Sequence, residues 1–176
     1  ETEINDPNAV AVATVDEHKQ PSVRMVLLKG LSDKGFVFYT NFNSKKGNDL
    51  KNNPYASMCF HWKSIRRQVR ISGKVSVVEK EEADKYFSSR EYGSKIAAWA
   101  SSQSETMNSR KDFLAKIKEF EKKFSDKKNV PRPPYWSGWR IIPNQIEFWL
   151  EVKNRSHERL NYRKENGKWI KEILYP

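Results

Sequence analysis

Hydrophobic positions change their period twice along this chain. Residues 9–15 (AVAVATV), 22–28 (SVRMVLL) and 35–40 (GFVFYT) are short apolar runs separated by the turn-like segments DEHKQP and SDKG. Residues 55–62 and 68–78 continue the series, the second alternating as QVRISGKVSVV, with KSIRR as the connection. Runs of this length, rich in β-branched and aromatic residues, predict an antiparallel meander. Gly73 inside the last run predicts a bulge or bend there.

The period then lengthens. Residues 80–90 and 94–101 predict short helices, and 109–124 predicts a longer one with Phe113, Leu114, Ile117, Phe120 and Phe124 on one face. Ser109 is its expected N-cap, with Asp112 three residues on. The prolines of NVPRPP end the helical section. Residues 139–142, 145–150, 160–163 and 169–174 return to strand patterns, with Asn166-Gly167 as a turn. The expectation is one domain over 1–176: a β-barrel or strongly curled, mostly antiparallel sheet of the α+β class. A helical insert lies at about 80–124 and C-terminal strands at about 136–176. Strands and helices do not alternate, which disfavours a parallel α/β winding.

The 176 residues are enough for one substantial core, and 37% apolar content with six tryptophans argues against a disordered chain. A net charge of +11 favours anionic partners without choosing among nucleic acid, phosphorylated small molecules and acidic membranes. Cys59 is the only cysteine, which points to a reducing, cytoplasmic compartment and, between Met58 and Phe60, to packing. The sequence opens on Glu1, which leaves an N-terminal targeting segment open. One cysteine and three scattered histidines show no metal-ligand spacing, and no apolar run reaches membrane length.

Several cations sit where they are expensive to desolvate. Arg24 and Arg70 interrupt apolar strands, as edge or snorkelling residues or as anion ligands. Lys45-Lys46-Gly47 follows the third strand at a loop, either a solvated pair or a phosphate seat. Tyr86, Arg90 and Ser94, spaced by four, would share a face if helical. Ser101, Ser102, Gln103 and Ser104 offer neutral donors and acceptors, or a plain helix cap. NRSHERLNYR (154–163) gathers Arg155, Arg159 and Arg163 around His157.

Seven segments in order, RMVLLKG (24–30), GFVFYTNFNSKKG (35–47), NNPYASMCFHW (52–62), RRQVRISGKV (66–75), YFSSREYGSKIAAWASSQS (86–104), WSGWRIIPNQIEFW (136–149) and NRSHER (154–159), resemble the pyridoxamine 5′-phosphate oxidase family. The resemblance implies an FMN-binding split barrel, a homodimer with FMN at the subunit interface, and phosphorylated B6 vitamers and O2 as partners. It implies no nucleic-acid or membrane partner and no metal. It places Arg24, Met25, Val26 and Leu27 along the flavin, with Arg24 and Lys46 on the FMN phosphate. Tyr39, Thr40, Lys45, Gln68, Gln103, Ser104, Trp149 and Arg159 match further cofactor-binding positions. Lys29, Tyr86, Arg90 and Ser94 match the residues around the substrate phosphate. Arg155 and His157 match the catalytic pair over the substrate ring, orienting and polarising it, with His157 also able to move a proton.

The chain departs from the family pattern at Ser156 and Glu158, at Leu150-Glu151 and in the tail ILYP. Two rival expectations remain at this level. One is a split-barrel protein that binds flavin or pyridoxal phosphate with altered substrate or no turnover. The other is a basic nucleic-acid-binding barrel, which should alternate basic and aromatic residues on an exposed strand face.

Overall fold

The computed structural model describes residues 6–176. Its strands are β1 (Ala9–Val15), β2 (Pro21–Leu27), β3 (Gly30–Ser32), β4 (Gly35–Asn41), β5 (Tyr55–Trp62), β6 (Arg67–Val77), β7 (Trp136–Leu150), β8 (Glu158–Glu165) and β9 (Lys168–Leu174). Its helices are α1 (Lys45–Asn52), α2 (Lys80–Ser88), α3 (Tyr92–Ala100) and α4 (Arg110–Lys123). The sheet order is β2-β1-β5-β6-β7-β4-β3, with β8 on β7 and β9 on β8. Neighbouring strands pair antiparallel through hairpins, as in β1–β2, β5–β6 and β8–β9. The expected antiparallel sheet with a helical insert is thus the observed architecture.

Two compact units can be distinguished. The first runs to Phe38 and takes in Asp49–Ser76 and Trp139–Pro176; the second comprises Tyr39–Asn48 and Val77–Gly138. In the first unit, strand alternation puts Val10, Val12, Met58, Phe60 and Ile71 on the buried side. Register aligns them, with Val12 opposite Met58 and Met58 opposite Ile71. The alternate residues of β2, Val23, Met25 and Leu27, stay exposed. In the second unit, Phe87, Ile96, Val130 and Trp136 form the core, with Tyr39, Tyr86, Trp99, Ile117, Phe120 and Phe124 packed on it.

Three local expectations change. Lys45-Lys46-Gly47 is the first turn of α1 and not a loop, because the Gly47 amide donates to Ser44 Oγ at 3.3 Å and so caps the helix. The two C-terminal runs at 139–142 and 145–150 are one strand, β7, which passes through Pro143 without a break. On α4, Ser109 Oγ accepts from the Asp112 amide as expected, but Leu114 is exposed while Ile117, Phe120 and Phe124 pack inward. Asn166 and Gly167 both hold positive φ, 50° and 81°, as a tight β8–β9 turn requires.

Gly73 marks a close backbone approach: a Cβ there would stand 2.0 Å from the Ile142 carbonyl oxygen. Gly73→Ala is therefore expected to destabilise by about 1–3 kcal/mol, seen as a lower melting temperature. Gly93→Ala, whose Cβ meets nothing within 4 Å inside α3, is expected to be neutral or stabilising by up to about 1 kcal/mol. Paired thermal melts check both.

Candidate functional site

In the first unit, Arg24 is held from three sides. Its Nη1 donates to the Val12 carbonyl at 3.1 Å and to Thr14 Oγ1 at 2.7 Å, and its Nη2 lies 3.9 Å from Asp49 Oδ2. Thr14 Oγ1 also donates to that carboxylate at 2.6 Å, and Ser22 Oγ reaches it at 3.2 Å. The β1–β2 register makes this possible, since it sets Thr14 opposite Ser22 and Val12 opposite Arg24. Burial disfavours the charged guanidinium and lowers its pKa, and Asp49 opposes that shift. Met25 and Leu27 stay exposed on the same strand, and Lys29 is exposed just beyond it.

A cleft of about 790 Å³ in this unit is lined by Gln68, Phe148, Trp149, His157 and Arg159 among others. Four of the expected site residues therefore meet in one apolar-walled cavity of ligand size. Arg159 is aimed by a buried carboxylate. Its Nε and Nη2 donate to Glu147 at 2.9 and 3.1 Å, while Arg70 Nη1 donates to the same carboxylate at 3.2 Å. The Glu147 bond raises the Arg159 pKa. Arg155 is exposed and does not line this cleft. The departures from the family pattern find partners here: Glu151 pairs with Arg66 at 3.2 Å, and Ser156 Oγ donates to the Lys153 carbonyl at 2.7 Å.

In the second unit, Lys46 is buried on α1, and its Nζ donates to Thr40 Oγ1 at 2.9 Å, Gln103 Oε1 at 2.9 Å and Ser44 Oγ at 3.4 Å. Thr40, Lys46 and Gln103, separated by up to 63 residues, thus form one cluster. Lys45 and Ser104 are exposed, Ser104 with a φ of 76°.

Tyr39 stacks on Tyr86 at 4.0 Å and on Trp136 at 5.3 Å, and the Arg90 guanidinium lies 4.8 Å from the Trp136 ring centre. Arg90 Nη1 is buried and has no hydrogen-bond acceptor among the described residues. Burial lowers the Arg90 pKa and raises that of Tyr86, each partly offset by the other group. The shared-face expectation for Tyr86, Arg90 and Ser94 needs correction. Tyr86 lies in the last turn of α2, Arg90 in the break before α3, and Ser94 in the first turn of α3.

Sequence reasoning missed Glu147, Asp49, Thr14, Ser22 and Trp136. Glu147, a lone carboxylate in the apolar run IEFW, gave a signal like that of the interrupting arginines. The Thr14–Ser22–Asp49 set shows only once hairpin register is known.

Residues 1–124 match the family described as Pyridoxamine 5'-phosphate oxidase, and residues 136–176 match the one described as Pyridoxine 5'-phosphate oxidase C-terminal dimerisation region. A Pelagibacter ubique protein named pyridoxine/pyridoxamine 5'-phosphate oxidase is 59% identical over 99% of this chain and 85% of its own length. An Agrobacterium fabrum protein of the same name is 52% identical at the same coverage. Among solved structures, PhzG from Burkholderia lata, in complex with tetrahydrophenazine-1-carboxylic acid, is similar with a TM-score of 0.92. It is 30% identical over 98% of this chain and 84% of its own. A pyridoxamine 5'-phosphate oxidase-related, FMN-binding protein from Nostoc punctiforme shares the fold at a TM-score of 0.77 and 15% identity, covering 98% of this chain and 90% of that one.

Glu147→Gln removes the charge that pairs Arg70 and Arg159. Because both arginines reach solvent, a loss of about 1–3 kcal/mol is expected, read as a lower urea midpoint with an unchanged slope.

Proposed function

This chain belongs to the pyridoxamine 5′-phosphate oxidase family, and we propose that it oxidises pyridoxamine 5′-phosphate or pyridoxine 5′-phosphate to pyridoxal 5′-phosphate with FMN and dioxygen. The observation that carries the reading is the buried Arg90 Nη1 with no acceptor among the described residues. A desolvated guanidinium atom without an acceptor is costly unless an anion completes it, and a phosphate oxygen supplies one.

Bound FMN would supply the acceptor for hydride from the substrate C4′ carbon, with dioxygen taking up the electrons as hydrogen peroxide and, for the amine substrate, water hydrolysing the imine with release of ammonia. The chain's own residues hold and orient. Lys46, bonded to Thr40 and Gln103, and Arg24, braced by Thr14 and Asp49, are the proposed cations for the cofactor phosphate. Met25, Val26 and Leu27 continue the Arg24 strand as the flavin-side edge, and Tyr39, Thr40, Lys45, Gln103 and Ser104 are further proposed cofactor contacts. Gln68, Trp149 and Arg159 line the apolar cleft and are assigned to the flavin ring. Lys29, Tyr86, Arg90 and Ser94 are assigned to the substrate phosphate, and Arg155 with His157 to the substrate ring. Two phosphorylated ligands require two sets of cations, which gives part of the +11 surplus a local purpose. Orientation of the reacting carbon is the main catalytic task.

The C-terminal match supports a homodimer, and we place FMN at its interface. Among the described residues no helix is long and apolar enough to cross a membrane. The single cysteine supports a reducing, cytoplasmic location.

The FMN-loaded protein should release peroxide with pyridoxine 5′-phosphate and far less with unphosphorylated pyridoxine. Arg90→Gln should raise KM for the phosphorylated substrate about 10- to 100-fold with little change in kcat. Initial-rate peroxide assays test this; no peroxide from the wild type overturns the function, and an unchanged KM overturns the Arg90 role.

A further inference from the structure

The loop that carries Arg155 and His157 is closed by the histidine itself. Val152 is extended, Lys153–Arg155 forms a single 3₁₀ turn, and Asn154 and Arg155 both adopt left-handed backbone, with φ of 57° and 60°. Two consecutive non-glycine residues in that region are unfavourable unless surrounding contacts impose them. Two contacts do so. Ser156 folds back on the Lys153 carbonyl through its amide and hydroxyl. Beyond it, the Val152 amide donates to His157 Nδ1 at 3.2 Å, spanning the whole turn.

That bond fixes where the imidazole proton sits. An amide N–H needs a lone pair, so Nδ1 is unprotonated, and the proton of a neutral imidazole must then be on Nε2. A cationic imidazolium would set an Nδ1–H against the Val152 N–H. The Trp149 ring, 4.6 Å away and tilted by 44°, supports the imidazole on one side.

We propose that His157 has two separate roles: Nδ1 clasps the loop and holds Arg155 in its left-handed conformation, while Nε2–H is a fixed hydrogen-bond donor to the substrate. With Nδ1 engaged and Nε2 already protonated, the ring has no lone pair left to act as a base. The donor half rests on the oxidase reading above; the clasp half is a property of the free protein. Proton abstraction by His157, open from the sequence, is thereby excluded while the clasp is made.

Long-range proton–nitrogen correlation NMR of the ¹⁵N-histidine-labelled holoenzyme tests the clasp without any turnover. The His157 signals, identified among the three histidines by their loss in His157→Asn, should show the Nε2–H tautomer. An Nδ1–H tautomer or an imidazolium at neutral pH overturns the proposal.

Two substitutions then separate the roles. Asparagine can accept from the Val152 amide but cannot reach the Nε2 position; glutamine places an amide donor at that position and leaves the Val152 amide without its acceptor. His157→Asn should keep Val152 amide protection and lose kcat/KM, whereas His157→Gln should expose that amide about tenfold and recover part of kcat/KM. Wild-type kcat/KM in His157→Asn overturns the donor role, and unchanged Val152 exchange in His157→Gln overturns the clasp. Failure of the wild type to oxidise phosphorylated vitamers would remove the functional reading and the donor role with it, while the tautomer result would still decide the clasp.

Discussion

A partly buried cation must find fixed oxygen or aromatic partners, and that requirement organises the functional regions of this protein. Desolvation disfavours each charged group, so none can be placed on an apolar strand or a packed helix without compensation. The chain meets the requirement in different ways. Arg24 leans on hydroxyls, a carbonyl and Asp49; Arg159 shares the buried Glu147 with Arg70; Lys46 donates to Thr40, Ser44 and Gln103; Arg90 rests on Trp136. Asp49 faces Arg24, and Glu147 faces Arg159. Arg90 keeps a buried nitrogen with no acceptor among the described residues, and an anion placed there would contribute most.

Secondary structure supplies the placement. Alternation along β2 turns Arg24 toward Thr14 and Ser22 while Val23 and Met25 stay outside. The β7–β8 ladder sets Trp149 opposite Arg159 and brings Glu147 within reach of that arginine from the same strand. Capping of α1 by Ser44 fixes the first helical turn, and with it Lys46. Rigid elements thus aim side chains whose own rotamers are locked by hydrogen bonds, as precise ligand positioning needs.

Much of this was legible in the sequence. Short apolar runs with turn residues gave the antiparallel strands, and the 3.6 period with Ser109 gave α4. What escaped was set by tertiary pairing. The helix at Lys45 has weak formers and a glycine in its first turn, so only the Ser44 cap reveals it. Pro143 looked like a break because a proline inside a run suggests a strand end, yet β7 continues through it. Leu114 fits the helical period but lies outside the face that Ile117 and Phe120 bury. Among the site residues, the cations were visible as charges out of place. Their partners Asp49 and Thr14 were not, since neither is unusual until register joins them.

The account's central claim is that these cations are arranged for phosphate and not for general basicity. The most direct measurement is calorimetric titration of flavin-free protein with FMN and with riboflavin, which differ only by the phosphate. FMN is expected to bind at least about 100-fold more tightly, with the preference falling as salt rises. Equal affinity for the two flavins would contradict the account.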